Sequence, residues 1–198
     1  MHVNDLSLDP SRTALLLMDL QPSILASHPD ADAFLAELGC AREAARAAGA
    51  TIGYVRVALS EEDAAHVPAH SRFAAAAERV SEIGPDHPAV SVDPRIAPAD
   101  GEIVVRKSRY GAFSTTDLHE QLRARGIDTL VLAGISTSGV VLSTARDGVD
   151  KDYRIVVLSD GTFDRDPEVH RVLTEKVYPA QQAAVVTIDE LIGALAAV

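Results

Sequence analysis

Three stretches of this 198-residue sequence place polar side chains directly after apolar runs. Asp19 follows Leu15-Leu16-Leu17-Met18, with Gln21 two residues further on. Lys107 closes E-I-V-V-R-K and opens K-S-R-Y-G-A-F. The segment G-I-S-T-S-G, residues 134–139, follows T-L-V-L-A and leads into V-V-L-S-T-A-R-D. A carboxylate at the end of an apolar run is only partly solvated. Burial raises its pKa, and a nearby ammonium lowers it. Asp19 and Lys107 in one cleft would therefore form a candidate general acid/base unit. An Asp capping its turn and a Lys in a surface ion pair fit the same spacing. The third stretch offers a different chemistry. The first residues of a helix carry free N–H groups and a positive partial charge, so Ser138, Gly139 and Val140 are candidate donors to a carbonyl or carboxylate. An ordinary strand–helix turn accounts for them equally.

Other reactive types have weaker addresses. Ser136, Ser138 and Ser143 lie in the same turn and helix, but a serine nucleophile needs an adjacent base, and no His falls in that segment. Cys40 is the one cysteine, so no intrachain disulfide can form. It lies in L-A-E-L-G-C-A-R-E-A, mid-helix and far from any strand end, and reads as a small helix-packing residue. His66 and His70 are four apart beside Glu61, Glu62 and Asp63, but Pro68 between them makes a shared helix face doubtful, and a solvated loop is the expectation.

The elements that must position these residues alternate. Residues 13–20 form an apolar run without polar alternation, the pattern of a buried strand. Residues 30–50 carry Phe34, Leu38, Ala41 and Ala45 at helical spacing, with Gly49 as the stop. Further strands are predicted at 51–59, 102–107, 129–134, 153–160 and 183–188. Further helices are predicted at 71–80, at 115–126 with Ser114 as cap and Asp117 three residues on, from Ser138 to about Asp150, after Asp166-Pro167, and from Thr187 with Glu190 completing a capping box. Residues 60–100 read as an irregular excursion covering one edge of the site. Repeated strand–helix alternation predicts one α/β domain over 1–198 with a parallel sheet, whose ligands bind beyond the carboxyl ends of the strands.

Composition narrows the partners. Hydrophobic residues make up 47% with only 4% aromatic, so the core is built from Ala, Val, Leu and Ile. A net charge of −11 disfavours nucleic acid. No apolar stretch approaches the ~20 residues needed to span a bilayer, and the N-terminus has no basic-then-apolar leader pattern. A cytoplasmic setting is expected. With no G-x-G-x-x-G and no P-loop, no nucleotide cofactor is expected.

Taken in order, these pieces resemble the isochorismatase-like, or cysteine hydrolase, superfamily, which includes nicotinamidases, N-carbamoylsarcosine amidases and isochorismatases. The likeness runs from about Thr13 to Leu191. Its parts are D-x-Q (Asp19, Gln21), K-x-x-x-x-A-F (Lys107, Ala112, Phe113), the G-x-x-T turn with its V-x-x-x-T helix (Gly134, Thr137, Val140, Thr144), and the strand end Leu158-Ser159-Asp160. The resemblance implies a three-layer α/β/α fold with a six-stranded parallel sheet in the order 3-2-1-4-5-6. It implies a cis peptide at Ile135–Ser136, and Asp19 and Lys107 together in one pocket as catalytic residues. It places substrate against Gln21, Phe113, Ser136, Gly139 and Val140. It also implies a small-molecule substrate and a homodimer or homotetramer.

One departure bears on mechanism. In the amidases the nucleophilic cysteine falls three residues after the turn Thr and four before the next. Thr137 and Thr144 both point to position 140, which is Val140. The resemblance then implies a hydrolase without the thiol, with Asp19 as general acid/base, or a retired hydrolase fold that binds. Isochorismatases carry Gly at this position and hydrolyse a vinyl ether without a thiol, the aspartate protonating carbon. They also place a Gln just past the second strand, where this chain has Val57 or a neighbour. Nicotinamidases hold a metal through an Asp and several His after that strand. The D-x-H pattern is absent here, so no metal is expected.

Overall fold

Every residue of the first strand, β1 (Thr13–Met18), is buried. A strand can be apolar throughout only where both faces of its sheet are covered. The computed structural model, which describes residues 6–197, has that architecture. After β1 come α1 (Pro22–Leu25), α2 (Ala31–Ala47), β2 (Thr51–Val57), α3 (Glu61–Ala65), α4 (Ala74–Glu78) and β3 (Ile103–Lys107). The second half runs α5 (Leu118–Ala124), β4 (Thr129–Ile135), α6 (Leu142–Asp150), β5 (Arg154–Phe163), α7 (Pro167–Val172), α8 (Tyr178–Ala180), β6 (Ala184–Val186) and α9 (Ile188–Ala196). The six strands form one sheet in the order β3-β2-β1-β4-β5-β6. Each recorded pairing is parallel.

Side chains alternate across a strand, so β1 feeds two cores. Leu15 and Leu17 join Leu38 and Ala41 of α2 and Leu191 of α9 on one face. Ala14, Leu16 and Met18 join Leu118 of α5, Ala145 of α6 and Tyr178 of α8 on the other. The chain winds outward from β1 through β2 to β3, then crosses back to β4 on the far side of β1. The β1/β4 boundary is thus the switch point where open α/β sheets leave a crevice for ligands.

Several local expectations are corrected. Cys40 is exposed rather than packed. The buried stripe of α2 is Phe34, Leu35, Leu38, Ala41 and Ala45, and Cys40 lies off it. α5 begins at Leu118 with Asp117 as its N-cap, so Ser114 is not the cap; the Ser114 hydroxyl donates to the Gly111 carbonyl instead. The helix expected at 71–80 shortens to α4. The helix expected from Ser138 begins as a π turn, Thr137–Val141, before α6. β5 does not stop at Asp160 but runs on to Phe163. The helix starts at Asp166-Pro167 and Thr187 form as expected, the latter with its capping box to Glu190. No helix among the described residues is long and apolar enough to cross a membrane.

Candidate active site

Asp19 is the first residue beyond β1. Its backbone adopts φ 57°, a left-handed conformation that Asp tolerates better than most residues. Its N–H still donates to Val55 O of β2 at 2.7 Å. The chain therefore leaves the sheet abruptly, with the carboxylate held at the strand end. Lys107 is the last residue of β3, and β2 lies between the two strands. The lysine reaches across the end of β2, and its Nζ donates to Asp19 Oδ2 at 2.9 Å and to Arg109 O at 3.1 Å. Lys107 is 1% exposed and Asp19 5%. Asp19 Oδ1 is buried and finds no hydrogen-bond partner among the described residues. Burial outweighs the lysine's pull on the acid, and the Asp19 pKa is pushed up to about 6.

The β4 end approaches just as closely. Gly134 has φ +132°, and a Cβ there would lie 2.0 Å from Met18 O. Only glycine lets this backbone pass the end of β1. A register shift between Leu132 and Gly134 marks a bulge against β5, which re-aims the following loop. The Ile135–Ser136 peptide is cis.

The π turn that follows is tightly held. Thr137 Oγ1 and His170 Nδ1 of α7 are hydrogen-bonded at 2.9 Å, and Tyr178 OH donates to Thr137 O at 2.7 Å. Thr144 Oγ1 accepts from Ala112 N at 3.1 Å, tying α6 to the loop after Lys107. Both threonines are fully buried. The free N–H groups expected here are largely occupied. Ser138 N and Oγ both donate to Asp164 Oδ2, at 2.8 and 2.6 Å, and Gly139 N donates to Ser136 O at 3.1 Å.

These groups surround a cavity of about 510 Å³, lined by Asp19, Lys107, Ser136, Gly139 and Val140 together with Val57. Two of the expected substrate-binding residues lie elsewhere. Gln21 is 1% exposed and outside the cavity wall. Its amide donates to Val57 O and Val90 O and accepts from Val57 N, so it works as a clasp on the end of β2. Phe113 stacks on Tyr153 at 5.8 Å in the core beneath α5 and α6. Both follow a motif residue closely in sequence, but their side chains turn into the protein.

The sequence pattern missed the mouth. Arg72, Phe73, Arg109, Tyr110, Asp164 and Arg165 also line the cavity. Asp164 and Arg165 directly follow β5, so the strand-end rule finds them once that strand is extended to Phe163. Arg72 and Phe73 lie in the irregular excursion, which carries no periodic signal. His66 caps α3, its Nδ1 2.8 Å from Glu62 O, and neither His66 nor His70 reaches the cavity. Among the described residues, no three His, Cys, Asp or Glu side chains cluster as metal ligands do. A second depression, of about 550 Å³, lies beside edge strand β3; its ionisable residues, Arg106, Asp117 and Glu120, are not buried.

This arrangement has relatives, and one comparison decides the family: residues 13–190 match the isochorismatase domain. The chain belongs to the isochorismatase family. It is 35% identical to the uncharacterized isochorismatase family protein YecD of Escherichia coli O157:H7, over 96% of this chain and all of that protein. It is 43% identical to the ureidoacrylate amidohydrolase RutB of Stutzerimonas stutzeri, over 50% of this chain and 36% of that one. Among solved structures, a cysteine hydrolase from Pseudomonas syringae superposes with a TM-score of 0.83 at 26% identity, covering 97% of this chain and 96% of that one. In this isochorismatase-family member the sheet order is the one the resemblance implied.

Proposed function

We propose that this isochorismatase-family chain is a hydrolase of a small polar or anionic molecule, working by Asp19 general acid/base catalysis without a cysteine nucleophile. One observation carries the reading. Asp19 faces the cavity with one oxygen held by Lys107 and the other buried and without a partner among the described residues. An acceptor left unsatisfied in a buried site costs about 1–3 kcal/mol, so this atom is arranged to meet a proton on something that enters. Its pKa of about 6 lets it hold or release that proton near neutrality.

Val140 occupies the amidases' cysteine position in this reading. It lines the cavity between the two motif threonines, and the one cysteine, Cys40, is exposed on α2. Ser138 donates to Asp164 rather than to a histidine, so it lacks the imidazole base of a serine nucleophile. Water is then the nucleophile. For an amide, Asp19 takes a proton from water as its oxygen bonds to the carbonyl carbon, and returns it to nitrogen as the C–N bond breaks. For a vinyl ether, protonated Asp19 gives its proton to carbon, water adds to the resulting cation as its proton passes to the Asp19 carboxylate, and the hemiketal collapses to a ketone and an alcohol as its ether C–O bond breaks. Lys107 fixes the carboxylate in both cases. The protein works in this reading as a cytoplasmic homodimer or homotetramer, and sedimentation as a monomer alone would refute that assembly.

The test is hydrolysis of isochorismate, simple amides and N-carbamoyl compounds by wild type and by Asp19→Asn, with chelator-treated protein in parallel. Turnover that disappears in Asp19→Asn supports the reading. Full turnover in that variant overturns it.

A further inference from the structure

Most arginines with a defined partner in this acidic protein are neutralised by a carboxylate. Arg12, Arg42, Arg46, Arg79, Arg95, Arg106 and Arg171 each lie within salt-bridge distance of an Asp or Glu. Arg56, Arg125 and Arg154 instead donate to backbone carbonyls outside the cavity wall. What sets the cavity mouth apart is that several such arginines come together there. Arg72, Arg109 and Arg165 all line it, and none has a carboxylate partner among the described residues. Arg72 Nε donates to Tyr110 OH at 2.9 Å, and Arg109 donates to Ser108 O at 2.7 Å while its guanidinium sits 5.4 Å from the Phe73 ring centre. Phe73 and Tyr110 meet edge-on at 5.3 Å. The excursion between β2 and β3 is thereby pinned to the loop after Lys107, with two guanidinium groups held at one rim.

We infer that this rim is a carboxylate clamp, and that the ligand of the cavity is a small acid whose carboxylate is held by Arg72 and Arg109 while a donor group at its other end meets Asp19 Oδ1. A chain of net charge −11 that gathers unneutralised guanidinium groups around one cavity has left a place for an outside anion. A guanidinium fork matches a carboxylate with two parallel hydrogen bonds. Burial sets the ligand's direction. Asp19, Lys107 and Val140 are buried at the base, whereas Arg72, Tyr110 and Arg165 are exposed at the mouth. A base with an open acceptor and a cationic mouth selects a molecule with an N–H or O–H at one end and an anion at the other. The inference deepens the hydrolase reading by naming its substrate class, but it is measured by binding alone.

The experiment is calorimetric titration of the intact protein with three amide acids, succinamate, malonamate and N-carbamoylglycine, each beside its neutral amide. At least one acid should bind wild type about tenfold or more tightly than its neutral amide. Arg72→Gln and Arg109→Gln should each weaken that acid about tenfold, as expected for loss of a charge-assisted contact, and leave the neutral amide unchanged. Arg123→Gln, an exposed arginine on α5 outside the cavity, should change nothing. Equal binding of acid and amide, indifference to both rim variants, an equal loss in Arg123→Gln, or no binding of any of the acids would overturn the clamp. Rim-dependent binding with no turnover by wild type would keep the clamp and sink the hydrolase. Turnover of neutral amides indifferent to both rim variants would do the reverse.

Discussion

Lys107 Nζ and Asp19 Oδ2 meet at 2.9 Å although β2 separates the strands that carry them. The pair is almost wholly withdrawn from water, and each group is the other's main compensation for lost hydration. Removing either one alone leaves a buried charge or forces a change of protonation. Asp19→Ala and Lys107→Met are each expected to lose about 3–5 kcal/mol of stability. The double variant should lose less than the sum, and urea unfolding of the four proteins measures the coupling.

The pH dependence of turnover separates the two roles open to Asp19. Its folded pKa is raised from 3.8 to about 6. A general base must be ionised, so the rate should rise through about pH 6. A general acid must be protonated, so the rate should fall through the same pH. Either limb should vanish or move in Lys107→Met. A rate flat across this range would remove Asp19 from the chemistry.

Stability should follow the same acid with a defined sign. The folded state holds its proton more tightly than the unfolded chain, so Asp19's contribution is fully present below pH 3.8 and is lost as pH rises through about 6. In Asp19→Asn that slope should be absent. Thermal melts of both proteins between acid and neutral pH compare the slopes directly.

Gly134→Ala should damage the site from its backbone. The added methyl would lie 2.0 Å from Met18 O at a φ of +132°. The backbone conformation alone costs about 1–3 kcal/mol, and relieving the overlap must displace the end of β1 that carries Asp19. Loss of stability beyond that range together with loss of turnover is expected. A variant with wild-type melting would mean that the two strand ends do not approach this closely.

Gln21 should behave as a clasp rather than a ligand. Gln21→Leu strips hydrogen bonds from Val57 N, Val57 O and Val90 O. Val90 O keeps its contact with Arg56 at 3.3 Å, but each buried group left unpaired on Val57 costs about 1–3 kcal/mol, so a clear drop in unfolding free energy is expected. The acid-over-amide preference at the cavity mouth should persist in the protein that remains folded. Loss of that preference without loss of stability would return Gln21 to the binding wall.

The sheet and the base of the site follow from local sequence signals. An unbroken apolar run such as Thr13–Met18 has no stable home except the middle of a covered parallel sheet, and alternation with helices makes the connections predictable. Asp19, Lys107 and the turn at Gly134 were legible because each sits where an apolar run stops. Gly49, Asp166 and Thr187 were legible because stops and caps are local interactions. The direction of each side chain and the company it keeps depend instead on how distant segments pack. Gln21 and Phe113 lie in the right motifs yet point away from the cavity, because a side chain in the loop after a strand is aimed by contacts, here with Val57 and Tyr153, that are distant in sequence. The true end of β5 depends on a bulge against β4, so Asp164 was hidden until the pairing was known. Arg72 and Phe73 meet Tyr110 and Arg109 across more than thirty residues of chain. Periodicity and capping act over a few residues, whereas long-range contacts of this kind depend on how the whole chain closes.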